Sequence, residues 1–275
     1  MDPAAWHRLQ SGTADGGTVL TVDFGGGRPE AGFPDLLERL PADLTVLAAV
    51  PPGRIVRDLA EVSQQLAGWR DAVPRADGRV VAVLGYCAGA SIATCLAREL
   101  ASRLGPQKLV LLDPLRATPR LLQEAYRASA GTFSEMLDQP LGTRTAAPAV
   151  PHPDDGHRAG AGDAMVRLAG QLGADYAEAA ERVGTELSLD AALVDDLVMR
   201  FHRYLSYLAV AGVAAETQLD AAEPTGPSPP TLTITSADHP NGAAPPAGRH
   251  VGFDVPRAGL LASAGVGSAI MEFIG

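Results

Sequence analysis

Apolar and polar positions alternate in blocks along the first 115 residues. Short β-branched runs of five to eight residues are separated by stretches with helical spacing. Residues 17–24 (Gly-Thr-Val-Leu-Thr-Val-Asp-Phe) read as a buried strand, and Gly25-Gly26-Gly27-Arg28-Pro29 as a loop. Phe33 to Leu40 has helical spacing, and Leu44 to Val50 reads as a strand stopped by Pro51-Pro52-Gly53. Ile55 to Ala72 has an amphipathic helical pattern, Arg79 to Leu84 reads as a third strand, and Lys108 to Leu112 as a fourth, ending at Asp113-Pro114. Strands alternating with helices predict a mostly parallel central sheet with helices on both faces, an α/β fold.

The rhythm then breaks. Arg120–Ser129, Ala164–Val183 and Leu187–Ala215 have helical patterns, while Leu141–Gly162 is rich in Pro, Gly, Ala, His and Asp and is expected to be mobile. Pro224–Pro230 reads as a linker, Thr231–Ser236 and Val251–Val255 as the last two strands, and Val266–Ile274 as a closing helix. The organisation expected is a core of residues 1–117 and 223–275 carrying a helical insertion at 118–222, which reads as a lid.

Composition narrows the class. The chain has 275 residues, 46% hydrophobic and 20% charged, as for a globular protein with a full core. A net charge of −10 argues against nucleic acid as a partner. No apolar run reaches the length of a membrane span, and the N-terminal residues lack a signal-peptide pattern. Two cysteines do not make a disulfide framework, so a reducing, cytoplasmic setting is expected.

The chemistry concentrates in Gly85-Tyr86-Cys87-Ala88-Gly89, which follows the third strand and precedes an Ala-rich helical stretch. This is the strand–turn–helix setting of a G-x-S-x-G nucleophile elbow, with cysteine in the nucleophile position. Small residues must flank so tight a turn, and the helix behind Cys87 aims N–H groups at it, favouring a thiolate and a developing oxyanion. An ordinary Gly-rich turn with a small core cysteine is the competing reading. Cys95, eight residues on, reads as a core residue.

These residues resemble the thioesterases of polyketide and nonribosomal-peptide assembly lines, within the α/β-hydrolase superfamily. The resemblance rests on the Gly25-Gly26-Gly27 loop, the Pro51-Pro52-Gly53 turn, the Gly85–Gly89 elbow, Leu111-Leu112-Asp113-Pro114 and the ending Ile270-Met271-Glu272-Phe273-Ile274. It implies Cys87 as nucleophile and Asp113, 26 residues later, as the triad acid. It also implies an oxyanion hole from the N–H groups of Ala88 and of Gly25 or Gly26. No resident cofactor or metal is implied; the substrate would arrive on the phosphopantetheine arm of an acyl or peptidyl carrier protein.

The chain departs from the family in two places. The elbow usually carries serine. The catalytic histidine usually follows the last strand, where this chain reads Phe253-Asp254-Val255-Pro256-Arg257-Ala258-Gly259-Leu260. Of six histidines, His7 is near a terminus, His152 and His157 lie in the Pro/Gly-rich segment, and His202 sits on a helical pattern whose surface it would occupy. His239, after the strand 231–236, and His250, before 251–255, remain as candidate bases, beside the possibility of no triad histidine. Asp238 is the alternative acid. Three functions stay open: acyl transfer from carrier thioesters by hydrolysis, cyclisation or hand-over; a dienelactone-hydrolase-like esterase; and a degenerate hydrolase that only binds a carrier or synthase.

Overall fold

The computed structural model describes residues 5–13, 15–25, 31–73, 79–137, 160–220, 228–240 and 248–275. The chain divides into two compact units, one of residues 1–50, 66–116 and 217–275, the other of 51–65 and 117–216.

The first unit is built on seven strands: β1 (Trp6–Gln10), β2 (Thr18–Val22), β3 (Thr45–Ala49), β4 (Val80–Tyr86), β5 (Lys108–Leu112), β6 (Thr231–Thr235) and β7 (Arg249–Gly252). Their order is β1-β3-β2-β4-β5-β6-β7, with β1 antiparallel to β3 and every other pair parallel. β2 is buried along its whole length and β4 nearly so, as befits parallel strands covered on both faces. Helices α1 (Phe33–Leu37) and α7 (Ala264–Ile274) contribute Phe33, Leu36, Val266 and Ile270 to a core with Leu84, Val110, Leu112 and Ile234. Helix α3 (Gly89–Leu104) packs on β2, β4 and β5, burying Ile92, Leu96 and Leu100. The chain reverses its direction of travel across the sheet between β2 and β4, and the crevice beyond the carboxyl ends of such strands is where ligands bind in this architecture. It is the α/β-hydrolase fold that the resemblance implies.

The second unit holds α4 (Pro119–Leu137), α5 (Ala161–Glu186) and most of α6 (Ala191–Asp220). Tyr176 of α5 stacks between Phe133 and Phe201, with ring centroids 4.9 and 4.1 Å away. The segment 51–65 joins this unit through Ser206, whose Oγ donates to the Arg54 carbonyl at 2.9 Å and accepts from the Val56 N–H at 3.1 Å. The segment expected to be mobile falls outside the described residues except for 160–162, which open α5.

Several elements differ from the sequence reading. β1 had no counterpart there. Helix α2 (Leu59–Asp71) starts later than Ile55, because Asp58 caps it: its Oδ1 accepts from the Glu61 N–H at 2.8 Å. Residues 187–190 form a turn with Ser188 at φ 51°, so α6 starts at Ala191 instead of Leu187. The last regular strand ends at Gly252 instead of Val255. Beyond it Phe253 N–H still bonds the Thr235 carbonyl and Ala237 N–H the Val255 carbonyl, before Pro256 ends the pairing.

Candidate active site

Cys87 follows β4 directly and has φ 53°, a left-handed conformation that a non-glycine residue holds only when its surroundings enforce it. They do so here. Its N–H donates to the Leu112 carbonyl at 2.9 Å, and its carbonyl accepts from Ala90 and Leu115, both at 3.1 Å. Gly85 permits the turn, since a Cβ there would stand 2.6 Å from Ala93 Cβ, 2.7 Å from Ala90 Cα and 2.8 Å from the Gly89 carbonyl. Tyr86 is wholly buried, Cys87 is half-buried, Ala88 is the N-cap residue of α3 and Gly89 is its buried first residue.

Asp113 closes β5 one strand away, fully buried and also left-handed at φ 43°. Its N–H donates to the Ile234 carbonyl at 2.8 Å, tying it to β6. Its carboxylate is densely engaged: Oδ1 accepts from the Ser236 N–H at 2.7 Å, while Oδ2 accepts from the Ser236 hydroxyl at 2.5 Å and from Arg257 Nε at 2.9 Å. His239 brings its Nδ1 to 3.6 Å from Asp113 Oδ1, too long for a hydrogen bond, and this buried nitrogen has no partner.

Cys87, Asp113 and His239 are thus assembled at the carboxyl edge of neighbouring strands. His250 is elsewhere: it lies within β7 instead of before the last strand, is exposed, and its Nε2 pairs with the Thr235 hydroxyl at 3.0 Å. Asp238 is exposed, and its Oδ1 accepts from the Arg257 N–H at 2.7 Å; hydrogen bonds from Ser236 and Arg257 hold its pKa below the ordinary range. It braces a loop. His202 faces α5 instead of the surface, with Nε2 3.0 Å from the Gly173 carbonyl. Gly25 follows β2 and is exposed, whereas Gly26, His152 and His157 lie outside the described residues. The other thiol, Cys95, is buried against Glu99, and burial pushes its pKa up to about 12.

Arg257 is the site residue the sequence reading passed over. It opens a 3-10 helix (Arg257–Ala262) ahead of α7, and its side chain is only 22% exposed. Burial opposes its charge, but the hydrogen bond to Asp113 and the attraction of Cys87 and Asp113 outweigh that and raise its pKa. Its signal in sequence was an arginine at the place where a histidine was sought. Among the described residues no cluster of three or more His, Cys, Asp or Glu could hold a metal ion, and no helix is long and apolar enough to cross a membrane.

With this geometry in view, the chain is an α/β-hydrolase-type protein. It belongs to the Thioesterase domain family, whose pattern matches residues 18–156, half of the chain. Among solved structures it is similar to the Vlm2 thioesterase domain bound with a dodecadepsipeptide, at 17% identity over 99% of each chain with a TM-score of 0.51. An α/β-hydrolase family protein from Desulfitobacterium hafniense is 15% identical, covering 98% of this chain and 100% of the other, with a TM-score of 0.48. No curated protein matches the sequence.

Proposed function

We propose that this thioesterase-family protein works by covalent acyl transfer at Cys87. The observation that carries the reading is the cysteine held at positive φ between β4 and α3, beside a fully buried carboxylate at the end of the next strand. Sulfur suits the task, because the thiolate is both a strong nucleophile and a good leaving group. The substrate is an acyl or aminoacyl thioester, delivered on the phosphopantetheine arm of a carrier protein in the assembly of a natural product. Cys87 attacks the carbonyl carbon, the oxyanion is met by the N–H groups of Ala88 and Gly25, and the bond to the donor sulfur breaks. The acyl group, now a thioester of Cys87, leaves to water, to a nucleophile within the acyl chain, or to another thiol. His239, whose Nδ1 stands 3.6 Å from Asp113 Oδ1, is the proton carrier where one is needed. The Vlm2 domain, solved with a depsipeptide, supports the reading by likeness of fold alone.

The test is intact-protein mass spectrometry after mixing the protein with acyl- and aminoacyl-loaded carrier proteins. A mass increase equal to the acyl group, lost in Cys87→Ala, is the expected result. An increase that persists in Cys87→Ala, or none across a broad panel while carrier-bound acyl groups stay intact, would overturn it.

A further inference from the structure

One short segment grips the backbone of Cys87 from both sides. The Cys87 N–H donates to the Leu112 carbonyl at 2.9 Å, and the Cys87 carbonyl accepts from the Leu115 N–H at 3.1 Å. Residues 112–115 thus clamp the elbow, and Asp113 lies inside the clamp at φ 43°. A left-handed aspartate persists only where its surroundings hold it. Three donors from remote parts of the chain do so. Ser236 gives its N–H to Oδ1 at 2.7 Å and its hydroxyl to Oδ2 at 2.5 Å, and Arg257 gives Nε to Oδ2 at 2.9 Å. The carboxylate is fully buried, so without its cation it would be an uncompensated charge and would drive the turn open toward water. Arg257 is itself fixed through its backbone. Its N–H donates to Asp238 Oδ1 at 2.7 Å, and its carbonyl accepts at 3.3 Å from the hydroxyl of Tyr86, the residue before Cys87. His239 provides no such link, because its Nδ1 stops 3.6 Å from Asp113 Oδ1 and has no partner.

We infer that Arg257 is a positioning residue: its ion pair with Asp113 locks the clamp of residues 112–115, and Asp113 serves Cys87 through the backbone instead of by orienting a histidine. The inference rests on the reading of Cys87 as the acyl-carrying nucleophile, and it names what holds that nucleophile in place. Two consequences follow. The pairing runs through one donor, since Nη2 of Arg257 is buried and has no partner. A lysine ammonium, a single point charge, can therefore replace much of it. The second consequence concerns the chemistry. A loosened clamp misplaces the sulfur, and a misplaced nucleophile reacts slowly whatever its protonation state. The loss on removing Arg257 is then the same with or without His239, and it persists at a pH where a thiol ionises unaided.

Two measurements on the full chain test this. The first is amide hydrogen exchange read by NMR, which sees the clamp directly. In Arg257→Gln the N–H groups of Cys87 and Leu115 are expected to exchange about tenfold faster or more, while the sheet amides of Leu84 and Val110 keep the parent rates. Arg257→Lys restores most of the protection. Should Arg257→Gln not fold, Ser236→Ala, which removes one hydroxyl from Oδ2, is expected to speed the same two amides about threefold. Unchanged exchange at Cys87 and Leu115, or a rise shared equally by Leu84 and Val110, overturns the clamp. The second is the rate of Cys87 acylation from an acyl-N-acetylcysteamine at about pH 9.5, above the ordinary thiol value of about 8.5. Arg257→Gln is expected to lower it about tenfold or more, by the same factor in the parent and in His239→Gln. A loss confined to the parent background means that Asp113 acts through His239, and a loss that vanishes at pH 9.5 means that Arg257 acts through charge; either overturns the inference. A parent that takes no acyl group at Cys87 overturns the acyl-transfer reading instead, and the exchange rates still decide the clamp.

Discussion

At the scale of single residues, two strained positions directly follow the adjacent strands β4 and β5. Cys87 and Asp113 both hold positive φ, a conformation that costs non-glycine residues of order 1 kcal/mol or more each. Backbone hydrogen bonds to Leu112, Leu115 and Ile234 compensate and lock the two side chains to adjacent strands. Gly85 is what lets α3 come so close behind the turn. Gly85→Ala would drive a methyl group into Ala93, Ala90 and the Gly89 carbonyl, and two of these obstacles are backbone atoms that cannot swing aside. The expected cost is about 2 kcal/mol of stability, with a displaced Cys87. Chemical denaturation measures the first, and the rate of Cys87 alkylation at fixed pH the second. A variant as stable and as reactive as the parent would show that the turn has slack the geometry does not suggest.

At the scale of elements, legibility followed periodicity. β5 was legible to the residue because Lys108–Leu112 is apolar along nearly its whole length and is bounded by Gln107 and Asp113. β1 was not, because Trp6-His7-Arg8-Leu9-Gln10 is a partly exposed edge strand with no apolar run. What holds it is remote, including pairing with β3 and the Trp6 indole bonded to the Trp69 carbonyl. The elbow was legible because its glycines and its strand are local. The setting of Asp113 was only half legible: its spacing from Cys87 can be counted, but its pairing with Arg257, 144 residues away, is a tertiary fact. The helical unit rests on similar remote contacts. Tyr176 lies between Phe133 and Phe201, is 5% exposed, and burial raises its pKa. Tyr176→Ala is expected to cost about 3 kcal/mol by opening a cavity among α4, α5 and α6. Differential scanning calorimetry would show it, and a shift within error would mean that the helices close over the gap.

At the scale of the whole molecule, charge sets the conditions under which the chemistry can be observed. The chain carries a net charge of −10 at neutral pH, and its isoelectric point is near 5.0. The repulsion that keeps copies apart therefore fades as the solution is acidified. Acid would also remove a thiolate at Cys87, so activity is expected to fall on the acid side for two unrelated reasons. They separate by concentration. Protonation of one thiol is reversible and independent of how much protein is present. Association near the isoelectric point grows with protein concentration. Dynamic light scattering across about pH 4.5 to 8 should show larger particles appearing close to pH 5 and dissolving on return to pH 8, more strongly at higher protein concentration. The alkylation profile of Cys87, taken on dilute protein, should already have fallen along a single titration curve. If scattering stays flat through pH 5 at every concentration, surface patches of one sign persist after the total cancels, and the whole acid-side loss then belongs to the site.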